Sequence, residues 1–199
     1  MSKFVVKDPF FNKAKKEGFR ARSAYKLQEI QKRFRIVAKG SKVLDLGCAP
    51  GSFLQVLSGL VGPEGRVLGI DLKPAAPLDR PNVVSVAADI RTADVDDLMK
   101  TYGFERIDVI TCDIAPNLSG IREVDDGNRA DLYEAIRAIV LKVLRPGGTF
   151  VFKSFFSQDL QPTVRDLKGI FTAVSLFKPE ASRSASSEVY IVCTGKKPL

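Results

Sequence analysis

The sequence predicts an α/β protein with a mainly parallel seven-stranded sheet and helices on both faces. Three observations carry that prediction. From residue 42 onward, short apolar runs alternate with helical apolar patterns, as expected of parallel strands joined by crossover helices. Val43-Leu44 leads into Asp45-Leu46-Gly47-Cys48-Ala49-Pro50-Gly51-Ser52-Phe53, which reads as a buried strand, a glycine-rich turn and a helix start. Acids then mark successive strand ends: Asp45, Asp71 and, just past the third strand, Asp89.

Taken in order, residues 8–17 and 21–34 are helical in pattern. In the second, Ala24, Leu27, Ile30 and Phe34 form an apolar stripe, with Lys26, Lys32, Arg33 and Arg35 expected on the surface. Apolar runs place strands at 42–47, 66–71, 82–87, 107–113, 149–154, 171–176 and 188–194. Helical spacing places helices at 52–61, 94–102, 128–144 and 158–168. Gly62-Pro63-Glu64-Gly65 and Pro146-Gly147-Gly148 read as turns. Residues 114–127, rich in Gly, Asn, Asp and Ser, read as a long loop and candidate lid. The last two strands have no helix between them, so an antiparallel hairpin is expected there.

At 199 residues the chain suits one buried core, divided here into a basic helical extension (1–39) and an α/β unit (40–199). No long apolar segment or signal-like start is evident, so a cytoplasmic, membrane-free protein, most simply a monomer, is expected. Cys48, Cys112 and Cys193 are odd in number and lie in apolar patterns. They read as buried hydrophobes rather than a disulfide or zinc framework. The chain has no histidine, which excludes Ser-His-Asp and Cys-His mechanisms. Net charge is +8, yet residues 1–39 hold twelve basic and three acidic residues. The remainder is therefore close to neutral. A solvated helix face would account for any one charge run, but so complete an asymmetry favours a polyanion, most simply nucleic acid.

The turn lacks the G-x-G-x-x-G pattern of dinucleotide sites. A pyrophosphate seeks amide donors, whereas the sulfonium and ammonium of S-adenosylmethionine suit a cleft rich in carboxylates. Asp71 lies 20 residues beyond Gly51, the usual distance for an acid that binds both ribose hydroxyls. Asp89 is placed to accept from an adenine amino group, with Ile90 against the ring. Gly47, Gly51 and Phe53 would approach the methionine portion. Asp45 and Asp89 also read as turn or helix caps.

Two further strand ends carry chemistry. Val109-Ile110-Thr111-Cys112-Asp113 ends in an acid, and Thr149-Phe150-Val151-Phe152-Lys153-Ser154 ends an apolar strand with a lysine. Lys153 either snorkels to solvent or works, and Asp113 on the neighbouring strand could orient it. The same pair also occurs as a scaffold ion pair.

With these pieces the chain resembles the FtsJ/RrmJ-like family of RNA ribose 2′-O-methyltransferases over roughly Lys13 to Pro198. The matching segments are Arg20-Ala21-Arg22-Ser23-Ala24-Tyr25-Lys26-Leu27, the Asp45–Phe53 turn, Asp113-Ile114-Ala115-Pro116-Asn117, Phe152-Lys153 and Ser187-Glu188-Val189-Tyr190. The resemblance implies a Rossmann-like methyltransferase fold that uses S-adenosylmethionine. It also carries a Lys-Asp-Lys-Glu tetrad onto Lys26, Asp113, Lys153 and Glu188, with Asp113 beside the cofactor as well. Phe53 departs from the tryptophan usual in bacterial members. Lys153 is the expected proton acceptor, or else a cation that positions the hydroxyl and stabilises developing negative charge. Lys26 and Glu188 would hold the ribose. The implied substrate is a uridine of large-subunit ribosomal RNA, free or in the assembled subunit, with the transfer RNA anticodon loop as alternative. Lys13, Lys15, Lys16, Arg20 and Arg22 would contact phosphates, and Phe19, Tyr25 and Phe155 would stack on bases. Phe155 and Phe156 also suit core packing. Two other classes compete: an NAD(P) oxidoreductase, opposed by the missing glycine fingerprint, and a non-catalytic RNA-binding assembly factor, which has no need of the tetrad.

Overall fold

The computed structural model describes residues 9–115, 122–183 and 186–198. Its elements run α1 (Pro9–Lys16), α2 (Ser23–Phe34), β1 (Lys42–Leu46), α3 (Ser52–Val61), β2 (Arg66–Asp71), β3 (Val83–Ala87), α4 (Val95–Thr101), β4 (Ile107–Cys112), α5 (Arg122–Val143), β5 (Leu144–Phe155), α6 (Leu160–Ile170), β6 (Phe171–Phe177) and β7 (Glu188–Lys196). One sheet holds the seven strands in the order β3-β2-β1-β4-β5-β7-β6. The chain builds outward from β1 to one side through β2 and β3, then returns to β1 and builds the other way through β4 and β5. The strand order therefore reverses between β1 and β4, and ligands of open α/β sheets bind outside the carboxyl ends at such a point.

Strand alternation divides the core in two. Leu44, Leu46, Leu68, Ile70 and Phe150 face one side and pack with Val95 and Met99 of α4, Ile136 and Val140 of α5, and Leu160 and Leu167 of α6. Val43, Val67, Val109, Val151, Tyr190 and Val192 face the other and pack with Ala24, Leu27 and Ile30 of α2 and Leu54 and Leu57 of α3. Each fully buried leucine or valine contributes about 1.5–3 kcal/mol before entropy is charged against it. The basic segment is thus seated on the sheet through the apolar stripe of α2.

The structure departs from the sequence expectation at four places. First, β1 to β5 pair in parallel as expected, but the last strand, β7, rather than β6, lies beside β5 and runs antiparallel to it as well as to β6. The expected hairpin exists, with β7 inserted between its partner and β5. Second, Pro146-Gly147-Gly148 lies within β5 rather than in a turn. The register slips there, from Ile107 opposite Leu144 to Val109 opposite Thr149, so the motif makes a bulge. Third, α5 begins at Arg122, which turns residues 122–127 of the expected loop into helix; residues 116–121 of that loop lie outside the described residues. Fourth, Lys26 is not on the surface but buried at 6% exposure. All three cysteines are buried, and burial pushes the Cys112 and Cys193 thiols up to about 12.

Candidate active site

A cleft of about 510 Å³ opens at the reversal of strand order, lined by residues from the ends of β1, β2, β3 and β4 and from α5, among them Gly47, Asp71, Asp89, Ile90, Asp113 and Leu132. Gly47 has φ +77°, and a Cβ there would run into the side chain of Ile114 and come within 3.2 Å of its amide nitrogen. Only glycine lets the turn close onto the end of β4. Asp71, the last residue of β2, uses one carboxylate oxygen to accept from the Ala49 amide at 2.9 Å and the other to accept from the Lys73 amide at 2.9 Å. Each oxygen keeps further acceptor capacity for a hydroxyl. Asp45 is fully buried. Its Oδ1 accepts from Thr111 Oγ1 at 2.6 Å, whereas Oδ2 has no partner among the described residues. Burial pushes this carboxyl up to about 8, against the pull of Thr111, and the negative charges of Asp113 and Asp71 push it further.

Three acids lining one cleft, Asp71, Asp89 and Asp113, fit a ligand bearing positive charge and hydroxyls, as S-adenosylmethionine does; Asp45, expected to join them, is fully buried and is not among the lining residues. Two further expected cofactor residues need correction. Phe53 is 3% exposed and packs among the α2–α3 core residues, so its ring is not a cleft wall; the helical stripe of α3 claims it. Gly51, with φ +106°, faces the Arg20 guanidinium instead. Asp89 lines the cleft as expected, and its carboxylate also accepts from the Arg91 guanidinium, with contacts of 2.6, 3.0 and 3.1 Å. The Arg91 side chain, its amide and its charge together outweigh slight desolvation and hold the Asp89 carboxyl down to about 2.

The four residues singled out as a tetrad meet in two buried ion pairs. Lys153 Nζ donates to the main-chain oxygen of Asp113 at 2.5 Å and sits 3.2 Å from its Oδ1. Lys26 Nζ, from α2, lies 2.6 and 2.8 Å from the two oxygens of Glu188. Burial alone would raise the Glu188 carboxyl, but the Lys26 ammonium and the Ser182 hydroxyl hold it below the ordinary range. Pairing of β5 with β7 sets Lys153 opposite Tyr190 and Phe155 opposite Glu188. The two-residue period of a strand puts Lys153, Phe155, Tyr190 and Glu188 on the α2 face together.

Tyr190 is a residue that motif reasoning missed. Its hydroxyl donates to Asp113 Oδ1 at 2.5 Å, and its ring lies 5.9 Å from Lys26 Nζ. Burial, then the charges of Asp113 and Glu188, raise its phenol well above the ordinary range, so it remains a donor. The signal was its position two residues after Glu188. Thr111 was missed in the same way, two residues before Asp113 on β4.

The expected RNA contacts separate into two kinds. Lys13, Lys15 and Lys16 are exposed in the last turn of α1, where cations also complement the helix dipole. Arg22 is half-buried at the head of α2. Arg20 is turned inward and donates to three main-chain carbonyls, Pro50, Ala76 and Pro77. Tyr25 is buried, with its hydroxyl bonded to Glu17 and its ring packed against Phe10 and Phe19. Tyr25 and Phe19 are therefore packing partners rather than free stacking platforms. Phe155 is half-buried and Phe156 is 56% exposed, so neither completes the core.

Comparison with known proteins agrees with this geometry. The FtsJ-like methyltransferase family matches residues 19–196. The chain is 43% identical to a ribosomal RNA large subunit methyltransferase E from Desulfatibacillum aliphaticivorans, covering 98% of this chain and 93% of the relative. It is 41% identical to the protein of that name from Myxococcus xanthus, over 94% of this chain and 87% of the relative. A crystal structure of a ribosomal RNA methyltransferase from Plasmodium falciparum superposes with a TM-score of 0.79 at 28% identity, covering 91% of this chain and all of the other. No described helix is long and apolar enough to cross a membrane. On its sequence, its sheet order and the match over residues 19–196, the chain belongs to the FtsJ-like methyltransferase family.

Proposed function

We propose that this enzyme methylates the 2′-oxygen of a ribose in large-subunit ribosomal RNA, at a uridine, using S-adenosylmethionine, and that it acts as a cytoplasmic monomer. The observation that carries the reading is the pair of buried ion pairs, Lys153–Asp113 and Lys26–Glu188, joined across Tyr190 at the rim of the acid-lined cleft. The names of the relatives support the choice of ribosomal RNA.

Asp71 would hold the cofactor's ribose hydroxyls, Asp113 its positive charge, and Ile90 its adenine. When bound, S-adenosylmethionine supplies an activated methyl group on a sulfonium. The chain's own residues then have to bring a 2′-hydroxyl into line and manage its proton. Lys153 takes that proton as the free amine or, as the ammonium, positions the hydroxyl and stabilises the negative charge developing on it. Asp113 fixes the Lys153 nitrogen in one place, and Tyr190 in turn holds Asp113. Lys26 and Glu188 neutralise one another, which makes burial of both tolerable, and their remaining hydrogen-bonding capacity faces the acceptor ribose. The exposed lysines of α1 would supply phosphate contacts.

The test is a map of ribose methylation across total RNA from cells with and without the protein. The reading expects one uridine of large-subunit ribosomal RNA to lose its 2′-O-methyl group when the protein is absent. Loss confined to a transfer RNA anticodon loop would reassign the substrate, and no change at any ribose would overturn the reading.

A further inference from the structure

The basic N-terminal segment contributes a residue to the cofactor site that neither charge counting nor the tetrad reveals. We infer that Arg20 is a positioning residue for the cofactor cleft, where it clamps together the two loops that carry Asp71's partners. This inference rests on the proposed cofactor reading.

The guanidinium reaches three carbonyls on two loops. Nη1 donates to Pro50 O at 2.9 Å and to Ala76 O at 2.6 Å, and Nη2 donates to Pro77 O at 2.6 Å. Pro50 belongs to the glycine turn after β1. Ala76 and Pro77 belong to the loop after β2, which leaves Asp71 through Leu72 and Lys73 on the cleft wall. Asp71 itself joins the same two loops from the inside, through the amides of Ala49 and Lys73. The loops are therefore tied twice, by a carboxylate facing the cleft and by a guanidinium behind it. A planar fork with five donors can bridge several carbonyls at once, which a lysine ammonium on a flexible stem does poorly.

Arg20 is itself held. Its amide donates to Gln55 Oε1 at 2.9 Å, and Gln55 Nε2 donates to Gly18 O at 2.9 Å, which pins the backbone on both sides of Phe19 to α3. Gly51 makes room for the clamp: a Cβ there would stand 2.6 Å from Arg20 Nη1. The chemistry that points Arg20 at phosphate from sequence alone is thus spent on carbonyl oxygens. Residues 18–20 work as part of the cofactor site, while α1 remains the exposed basic surface.

The experiment measures S-adenosylmethionine affinity by calorimetry, and RNA affinity at low salt, for wild type, Arg20→Ala, Arg20→Lys and Gly51→Ala. Hydrogen bonds from a charged donor are each worth enough to expect about a tenfold to hundredfold rise in cofactor Kd for Arg20→Ala. A smaller rise is expected for Arg20→Lys, and a rise also for Gly51→Ala, which crowds the guanidinium and strains a backbone held at φ +106°. Affinity for RNA should stay within about twofold. Unchanged cofactor affinity in Arg20→Ala, or a fall in RNA affinity in its place, would overturn the assignment. If Arg20→Ala does not fold, Arg20→Lys decides the matter by the same two affinities. Wild type that fails to bind S-adenosylmethionine at all would instead remove the functional reading beneath it.

Discussion

Replacing Asp45 with asparagine should stabilise the cofactor-free protein by an amount that grows with pH. In the folded chain this carboxyl is fully buried and titrates near 8, against 3.8 for an ordinary aspartate. The sign follows from proton linkage. Between those two values the unfolded chain has released the proton and the folded chain retains it, so stability falls as pH rises through the window. The fall is about 1.4 kcal/mol per pH unit. Between pH 5 and pH 7.5 the wild type should therefore lose about 3 kcal/mol that Asp45→Asn, having no proton to release, keeps. Asparagine preserves the acceptor for Thr111 Oγ1, 2.6 Å away, so little packing is lost. Urea unfolding of both proteins at pH 5, 6, 7 and 7.5, without ligand, gives the difference directly. Parallel pH dependences for the two would show that Asp45 is ionised in the folded state, and the reasoning would fail.

Three other outcomes follow from the geometry. Lys26→Met should cost about 3–5 kcal/mol in denaturant titration at neutral pH, since it strands Glu188 as a buried unpaired carboxylate. Wild type draws stability from this pair above Glu188's ordinary pKa of 4.5 and loses it as pH falls below, because the folded carboxyl is held low; a variant as stable as wild type would contradict the pairing. Neutralising Lys13, Lys15 and Lys16 together should reduce the slope of log affinity for RNA against log salt by about 2, and an unchanged slope would remove α1 from the interface. Phe155→Ala should raise KM for RNA roughly tenfold with kcat for bound RNA and cofactor affinity unchanged, since stacking on one base is worth about 1–3 kcal/mol; an unchanged KM would assign Phe155 to structure alone.

The strand runs were legible because burial on both faces writes itself as continuous apolar sequence, as in Val67-Leu68-Gly69-Ile70 and Ile107 to Cys112. What escaped was nonlocal. Pro146-Gly147-Gly148 has the composition of a turn, and only pairing with β4 makes it a bulge. The insertion of β7 between β5 and β6 leaves no mark on either strand's own pattern. Lys26 reads as surface by its charge, and its partner Glu188 is 162 residues away. Only the family resemblance, not spacing, put these two in one site. Arg20 shows the opposite error: an arginine in a basic run reads as a phosphate contact, while tertiary structure supplies carbonyls. Phe53 failed similarly, because an aromatic after a glycine turn serves a cleft or a core equally well, and the α2–α3 packing decides for the core.

The most direct test of the central claim is reconstitution with purified protein, labelled S-adenosylmethionine and large-subunit RNA or assembled subunits, followed by nucleoside analysis. Wild type should place label in 2′-O-methyluridine, and Lys153→Ala should lose that label although cofactor and RNA still bind. Label on a base rather than a ribose, or near-normal ribose transfer by Lys153→Ala, would contradict it.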